Sequence, residues 1–177
     1  MKTRLWALCA SLLYLRTGCS SATVQDYAAN TPKLDIRQYL NGKLEAWGVL
    51  FDMTGKVDMH FYVTMVGSWN GNVGTLKENF VYSDGRKDER VWTITFTDDT
   101  NFTATAHDVE GKAVGSQAGN AMNMQYALNV VRSNGDTISL SMDDWIYLVD
   151  EKTVINRTKM RKFGITVGEL VLTFKKQ

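Results

Sequence analysis

The segment Lys56-Val57-Asp58-Met59-His60-Phe61-Tyr62-Val63-Thr64-Met65-Val66 sets Val57, Met59, Phe61, Val63 and Met65 on one side of an extended chain, with Asp58, His60, Tyr62 and Thr64 on the other. A period of two is the repeat of a β-strand with one buried face. The flanks agree. Thr54-Gly55 ends the strand expected before it, Lys43 to Met53, and Asn70-Gly71 supplies the turn after it.

The same alternation recurs along the chain. Thr75 to Tyr82 leads to Ser83-Asp84-Gly85, and Arg90 to Thr97 follows with Trp92, Ile94 and Phe96 on one face. Asn101 to Asp108 comes next, then a stretch around Gly111, Gly115 and Gly119 that reads as a glycine-rich linker. Met122, Met124, Tyr126, Leu128 and Val130 share a face; Asn134-Gly135, the strongest hairpin signal, precedes Thr137 to Met142. Trp145 to Val149, Val154 to Thr158 and Val167 to Phe174 complete the set. Strands joined by short turns, without a helix long enough for a crossover, predict an all-β fold. Its simplest form is an antiparallel up-and-down β-barrel of eight to ten strands, because closure removes exposed edges. A two-sheet sandwich is the alternative. An outer-membrane barrel also uses such strands, but the short loops and the ending Lys175-Lys176-Gln177 argue against one.

Ahead of the strands, Leu34 to Leu40 is predicted to form a short N-terminal helical segment, with Leu34, Ile36, Tyr39 and Leu40 as its apolar contacts. It is a candidate lid or plug for a barrel domain spanning 34–177. Residues 19–33 are polar, contain the only proline, Pro32, and read as a tether. The first residues have the form of a targeting segment: Lys2 and Arg4, then an apolar run from Leu5 to Leu15 that is too short to span a bilayer. Residues 1–18 are similar to a bacterial lipoprotein signal peptide, with Thr17-Gly18 before Cys19, although Arg16 stands where such signals usually carry leucine. That resemblance implies lipid attachment at Cys19 and a membrane-anchored protein; Ser20 after the cysteine implies the periplasmic face of the bacterial outer membrane. Ordinary cleavage after Ala22 is the alternative, since Ser20-Ser21-Ala22 offers small residues.

Cys9 lies inside the signal run, so a processed chain holds no internal disulfide and depends on its core. Loss of Lys2, Arg4 and Arg16 leaves the 19 acidic residues in slight excess. No strongly basic field remains, which argues against nucleic acid as a partner.

Leu34-Asp35-Ile36-Arg37-Gln38-Tyr39-Leu40-Asn41-Gly42 resembles the opening of bacterial lipocalins, where a short helical segment and a glycine lead into the first barrel strand; Leu44 stands where lipocalins place a tryptophan. Over Asp26 to Phe174 the chain is similar to an uncharacterised family of proteobacterial lipoproteins. The similarity lies in Asn41 to Gly48, Glu78 to Tyr82, Arg90 to Thr93, Asp143 to Leu148, Ile155 to Arg157 and Met160 to Gly164. It implies a calycin-like or lipocalin-like barrel and is suggestive of lipid handling.

Covalent chemistry finds little support. The two histidines, His60 and His107, lack a recognisable nucleophile, and no Gly-x-Ser-x-Gly elbow occurs. No His/Cys cluster has metal-ligand spacing, Asp98-Asp99 and Asp143-Asp144 read as turn or strand-end carboxylates, and no cofactor is expected. A small barrel either fills with side chains or holds one ligand. Met59, Met124, Trp92 and Tyr126, with Trp47 and Trp145, are the candidates to line a cavity. Arg157 and Arg161 belong to a basic run that either forms cross-strand ion pairs with nearby acids or presents a rim to an anionic head group. The reading that follows is a non-enzymatic carrier of a fatty acid or lipid, with Arg157 or Arg161 on the acid group. A docking lipoprotein with a solid barrel, and a lipid-modifying enzyme with a histidine inside the cavity, are the rivals.

Overall fold

A computed structural model describes residues 21–132 and 134–177. The signal segment 1–18, Cys19, Ser20 and, within a hairpin, Ser133 lie outside the described residues. Ten strands follow one another: β1 (Gly42–Asp52), β2 (Val57–Asn70), β3 (Val73–Tyr82), β4 (Lys87–Phe96), β5 (Asn101–Thr105), β6 (Val109–Ala118), β7 (Ala121–Val131), β8 (Thr137–Leu148), β9 (Thr153–Lys162) and β10 (Ile165–Lys176). Each pairs antiparallel with its chain neighbours, and β1 pairs with β10, from Leu44↔Lys176 to Asp52↔Gly168, which closes the barrel. Within 21–177 the described residues hold a complete hydrogen-bonded ring around one core, the make-up and size of a segment able to fold alone. No helix among the described residues is long and apolar enough to cross a membrane.

Alternation puts one residue in two inside. Phe61, Val63 and Met65 of β2 are buried, as are Trp92, Ile94 and Phe96 of β4 and Met122, Met124 and Leu128 of β7. Two stretches depart from the pattern expected of them. The glycine-rich stretch 111–119 is largely strand, not linker: β6 crosses there with its register shifted between Glu110 and Val114. Gly115 is buried under the Phe102 ring, which occupies the place a Cβ would take, so glycine here is a packing choice. Thr137 to Leu148 is also a single strand, running straight through Asp143-Asp144, which are therefore neither turn nor strand-end residues.

The helical segment is one turn, α1 (Ile36–Tyr39), capped by Asp35, whose carboxylate accepts the Arg37 N–H at 2.9 Å. It seals one end of the barrel. Leu34, Ile36, Tyr39 and Leu40 are all buried, and Gly67 lets the Leu40 carbonyl lie where a side chain would otherwise begin. Stitching comes from around the rim. Gln117 accepts the Ile36 N–H at 3.0 Å, and Tyr39 donates to the Lys152 and Phe174 carbonyls at 3.0 and 3.2 Å. Lys176 donates to the Tyr39 and Asn41 carbonyls at 3.0 and 2.9 Å, meeting acceptors that a helix end leaves open. Arg37 lies over Phe96 and pairs with Asp99 at 3.1 Å.

The expected tether 19–33 is corrected over its described part. Val24–Tyr27 is a 3-10 turn with Val24 buried, Tyr27 packs edge-on to Trp145 and Tyr147, and Leu34 N–H bonds to the Gly119 carbonyl at 2.7 Å. An apolar residue and an aromatic in this stretch find partners on the outer wall, so it lies docked there.

Candidate functional site

Inside the barrel, above α1, lies a cavity of about 100 Å³. Its floor is apolar, formed by Ile36, Leu40, Leu76, Ile94, Met122 and Phe174. Across its middle runs a belt of polar side chains: Glu78 from β3, Arg90 from β4, Tyr126 from β7, Asp144 from β8, and Asn156 and Thr158 from β9. Trp92 also borders it. Each occupies an inward position of its strand, so the ladder registers decide which meet: Glu78 stands opposite Arg90, and Asp144 opposite Thr158.

The belt is joined by hydrogen bonds. Arg90 grips Asp108 of the β5–β6 turn, its Nε 2.9 and 3.1 Å from the two carboxylate oxygens and its Nη2 2.7 Å from Oδ2. Its remaining nitrogen, Nη1, is 3.8 Å from Glu78 Oε2, which accepts the Trp92 indole N–H at 3.3 Å. Among the described residues, no cation contacts Asp144. It accepts from Thr158 at 3.0 Å, from Tyr126 at 3.5 Å, and from Asn156, whose amide also donates to the Trp145 carbonyl at 2.9 Å.

Desolvation governs the acids. Burial pushes the Glu78 carboxyl up to about 7 against the pull of Arg90 and the Trp92 hydrogen bond, with the charges of Asp144 and Asp108 adding to the rise. Burial likewise raises Asp144, outweighing the donors around it. Burial alone would lower Arg90, but its hydrogen bonds to Asp108 and the charges of Glu78 and Asp108 raise it further, so it stays a cation.

The structure divides the residues expected at a binding site. Trp92, Met124 and Tyr126 line the cavity, and Met59, half-buried, sits beyond it toward the open mouth. Trp47, Trp145, Arg157 and Arg161 do not reach it. Trp47, 49% exposed, leans on Tyr62 on the outer wall. Trp145 points outward because its neighbours Asp144 and Ile146 point in; it stacks on Tyr147 and donates to Asp143 at 3.1 Å. Arg157 forms a two-pronged pair with Glu169 at 2.8 and 2.9 Å, and Arg161 is 3.4 Å from Asp143, so these two arginines of the basic run make cross-strand ion pairs outside the barrel. His60 and His107 are exposed and line no part of the cavity. Glu78, Arg90, Asp144, Asn156 and Thr158 are the functional candidates that residue type alone does not reveal. Parity was their signal: Glu78 lies in step with Leu76 and Phe80, Arg90 with Trp92 and Ile94, and Asp144 with Met142 and Ile146.

A family model described as "Protein of unknown function (DUF3833)" matches residues 13–176, nearly the whole chain. The chain belongs to this DUF3833 family. No curated protein matches it. Two solved structures are similar to this DUF3833 barrel. One, the S-type phycobiliprotein lyase CPES from Guillardia theta, has a TM-score of 0.59 at 4% identity, covering 89% of this chain and 98% of its own. The other, Rv2717c from M. tuberculosis, has a TM-score of 0.56 at 14% identity, covering 84% and 99%. At these identities the likeness is one of fold, and the fold is that of calycin-like, lipocalin-type barrels.

Proposed function

We propose that this DUF3833 protein is a carrier that takes a small hydrophobic ligand into its barrel, supplied from a membrane lipid pool. The observation that carries the reading is a cavity inside a closed barrel, apolar at its sealed end and crossed by a single polar belt, the usual composition of a small-molecule site. A solid barrel used only for docking would lack it. The ligand's body lies against Trp92, Met122 and Met124, and its polar end meets the belt. At about 100 Å³ the cavity is somewhat smaller than an apolar cavity of about 150 Å³ that holds benzene, so a longer chain enters only as the methionines and the mouth side chains yield.

A free fatty acid held through Arg157 or Arg161 loses its support, because both guanidinium groups are committed to carboxylates on the outer wall. Acylation of Cys19, anchoring the protein at the periplasmic face of the outer membrane, remains part of the proposal and rests on the lipoprotein-like signal.

Residues 21–177, exported to a bacterial periplasm without the anchor, test the reading by mass spectrometry of the native protein and its organic extract. A stoichiometric apolar compound absent from an unrelated exported control is the expected result; an empty protein that takes up no added lipid overturns it. For the full chain, the mass of the amino-terminal peptide reports on Cys19: acyl chains are expected, and a free chain beginning after Ala22 removes the anchor from the proposal.

A further inference from the structure

Acids outnumber bases around the belt. Glu78, Asp108 and Asp144 face one guanidinium, Arg90, which is gripped by Asp108 through Nε and Nη2. Among the described residues, the hydrogen bond that Glu78 accepts goes to Oε2, and none reaches Oε1. Glu78 is 9% exposed and borders the cavity. Every fully enclosed side-chain polar atom among the described residues has a partner, so the unpaired Oε1 opens onto cavity space. Asp144, bordering the same cavity, is held among the described residues by neutral donors only.

An incoming carboxylate would add a fourth acid beside one engaged cation, where water is too scarce to screen the repulsion. An ammonium group would instead find Glu78 Oε1, which accepts no hydrogen bond and whose carboxylate meets a cation only through Oε2 at 3.8 Å, and Asp144, held by neutral donors. We infer that the interior site selects an apolar molecule carrying a primary amine, with its nitrogen on Glu78 and Asp144, over the carboxylate of the same skeleton. This inference rests on the ligand-binding reading above and names the chemistry of the ligand's polar end. Arg90, Asp108 and Tyr126 are the other titratable groups facing these acids. With Glu78 held near 7 and Asp144 raised, the bound ammonium displaces protons, so uptake strengthens as pH rises from about 6 to about 8 and releases protons to the buffer.

The experiment titrates residues 21–177 with hexylamine, 1-hexanol, hexanoate and toluene, following the Trp92 indole N–H by NMR. Hexylamine is expected to bind at least about tenfold tighter than 1-hexanol, with hexanoate weakest. Glu78→Gln is expected to bring the hexylamine-to-1-hexanol preference down to about threefold or less, the ratio and not the affinity of either probe being the readout. Asp144→Asn serves the same purpose where the first variant fails to fold. Tightest binding by hexanoate overturns the inference and makes Arg90 the receptor. Equal binding of all four probes, or an amine preference unmoved in both variants, also overturns it while leaving the hydrophobic-ligand reading intact. If no probe moves Trp92, toluene included, both fall together.

Discussion

Glu78 makes the stability of this barrel depend on pH in a direction opposite to that of most carboxylates. Its folded-state pKa stands at about 7, against 4.5 for an unperturbed glutamate. Between those values the unfolded chain has given up its proton while the native protein still holds it. Stability from this group is therefore fully present below about pH 4.5 and is lost as pH rises to about 7, by an amount on the order of 3 kcal/mol. Asp144, also raised, acts in the same sense. Urea unfolding of residues 21–177 at about pH 5 and about pH 8 is expected to show the wild type weaker at the higher pH, and Glu78→Gln to flatten the difference. A wild-type profile that rises with pH over this window, or one the substitution leaves unchanged, would remove Glu78 from that role. The residue scale is also where the sequence was hardest to read. Trp92, Met124 and Tyr126 announce themselves as bulky residues on an apolar face, whereas Trp145 looks equally suitable and differs by one step of parity. A polar residue on that face, such as Asp144, resembles a strand end until the strand is known to continue through it.

Among the elements, α1 depends most on one small neighbour. A methyl group at Gly67 would overlap the Leu40 carbonyl, a backbone atom that cannot swing aside, so Gly67→Ala must push the segment out of the barrel end. The cost is expected to be about 1–3 kcal/mol by urea unfolding, with faster hydrogen exchange at Leu40 and Asn41 than at the buried strands. Unchanged exchange would mean that the end is sealed by something other than this contact. Leu34 to Leu40 was legible as a short apolar helix because four large side chains fall within seven residues. β6 was not, because Gly111 and Gly115 signal flexibility in isolation, and only the Phe102 ring across the sheet reveals Gly115 as a close-packing position. The docked turn Val24–Tyr27 was hidden for a related reason: its aromatic partners, Trp145 and Tyr147, lie more than a hundred residues later in the chain.

For the whole molecule, closure is what the alternating pattern could suggest but not count. Eight to ten strands satisfied the turn spacing; the ring has ten, sealed by the β1–β10 ladder. Deleting 165–177 removes β10 and leaves β1 and β9 with open edges, together with the loss of Leu172 and Phe174 from the core. No soluble monomer is expected from that truncation, only larger species by light scattering. A well-folded monomer would show that the barrel tolerates opening. The described residues contain no cysteine, so no covalent bridge within them stands in for that ladder.

The stitched segment at one end has a kinetic meaning as well. Tied to the rim through Gln117, Tyr39, Arg37 and Lys176, it closes that end among the described residues, so a ligand of the proposed kind would enter and leave from the opposite end. A newcomer cannot push an occupant out from behind. For a carrier of the kind proposed, turnover would then be dissociative: the resident leaves first, the vacancy is filled second, and the exchange rate is expected to level off at the resident's own escape rate however much competitor is supplied.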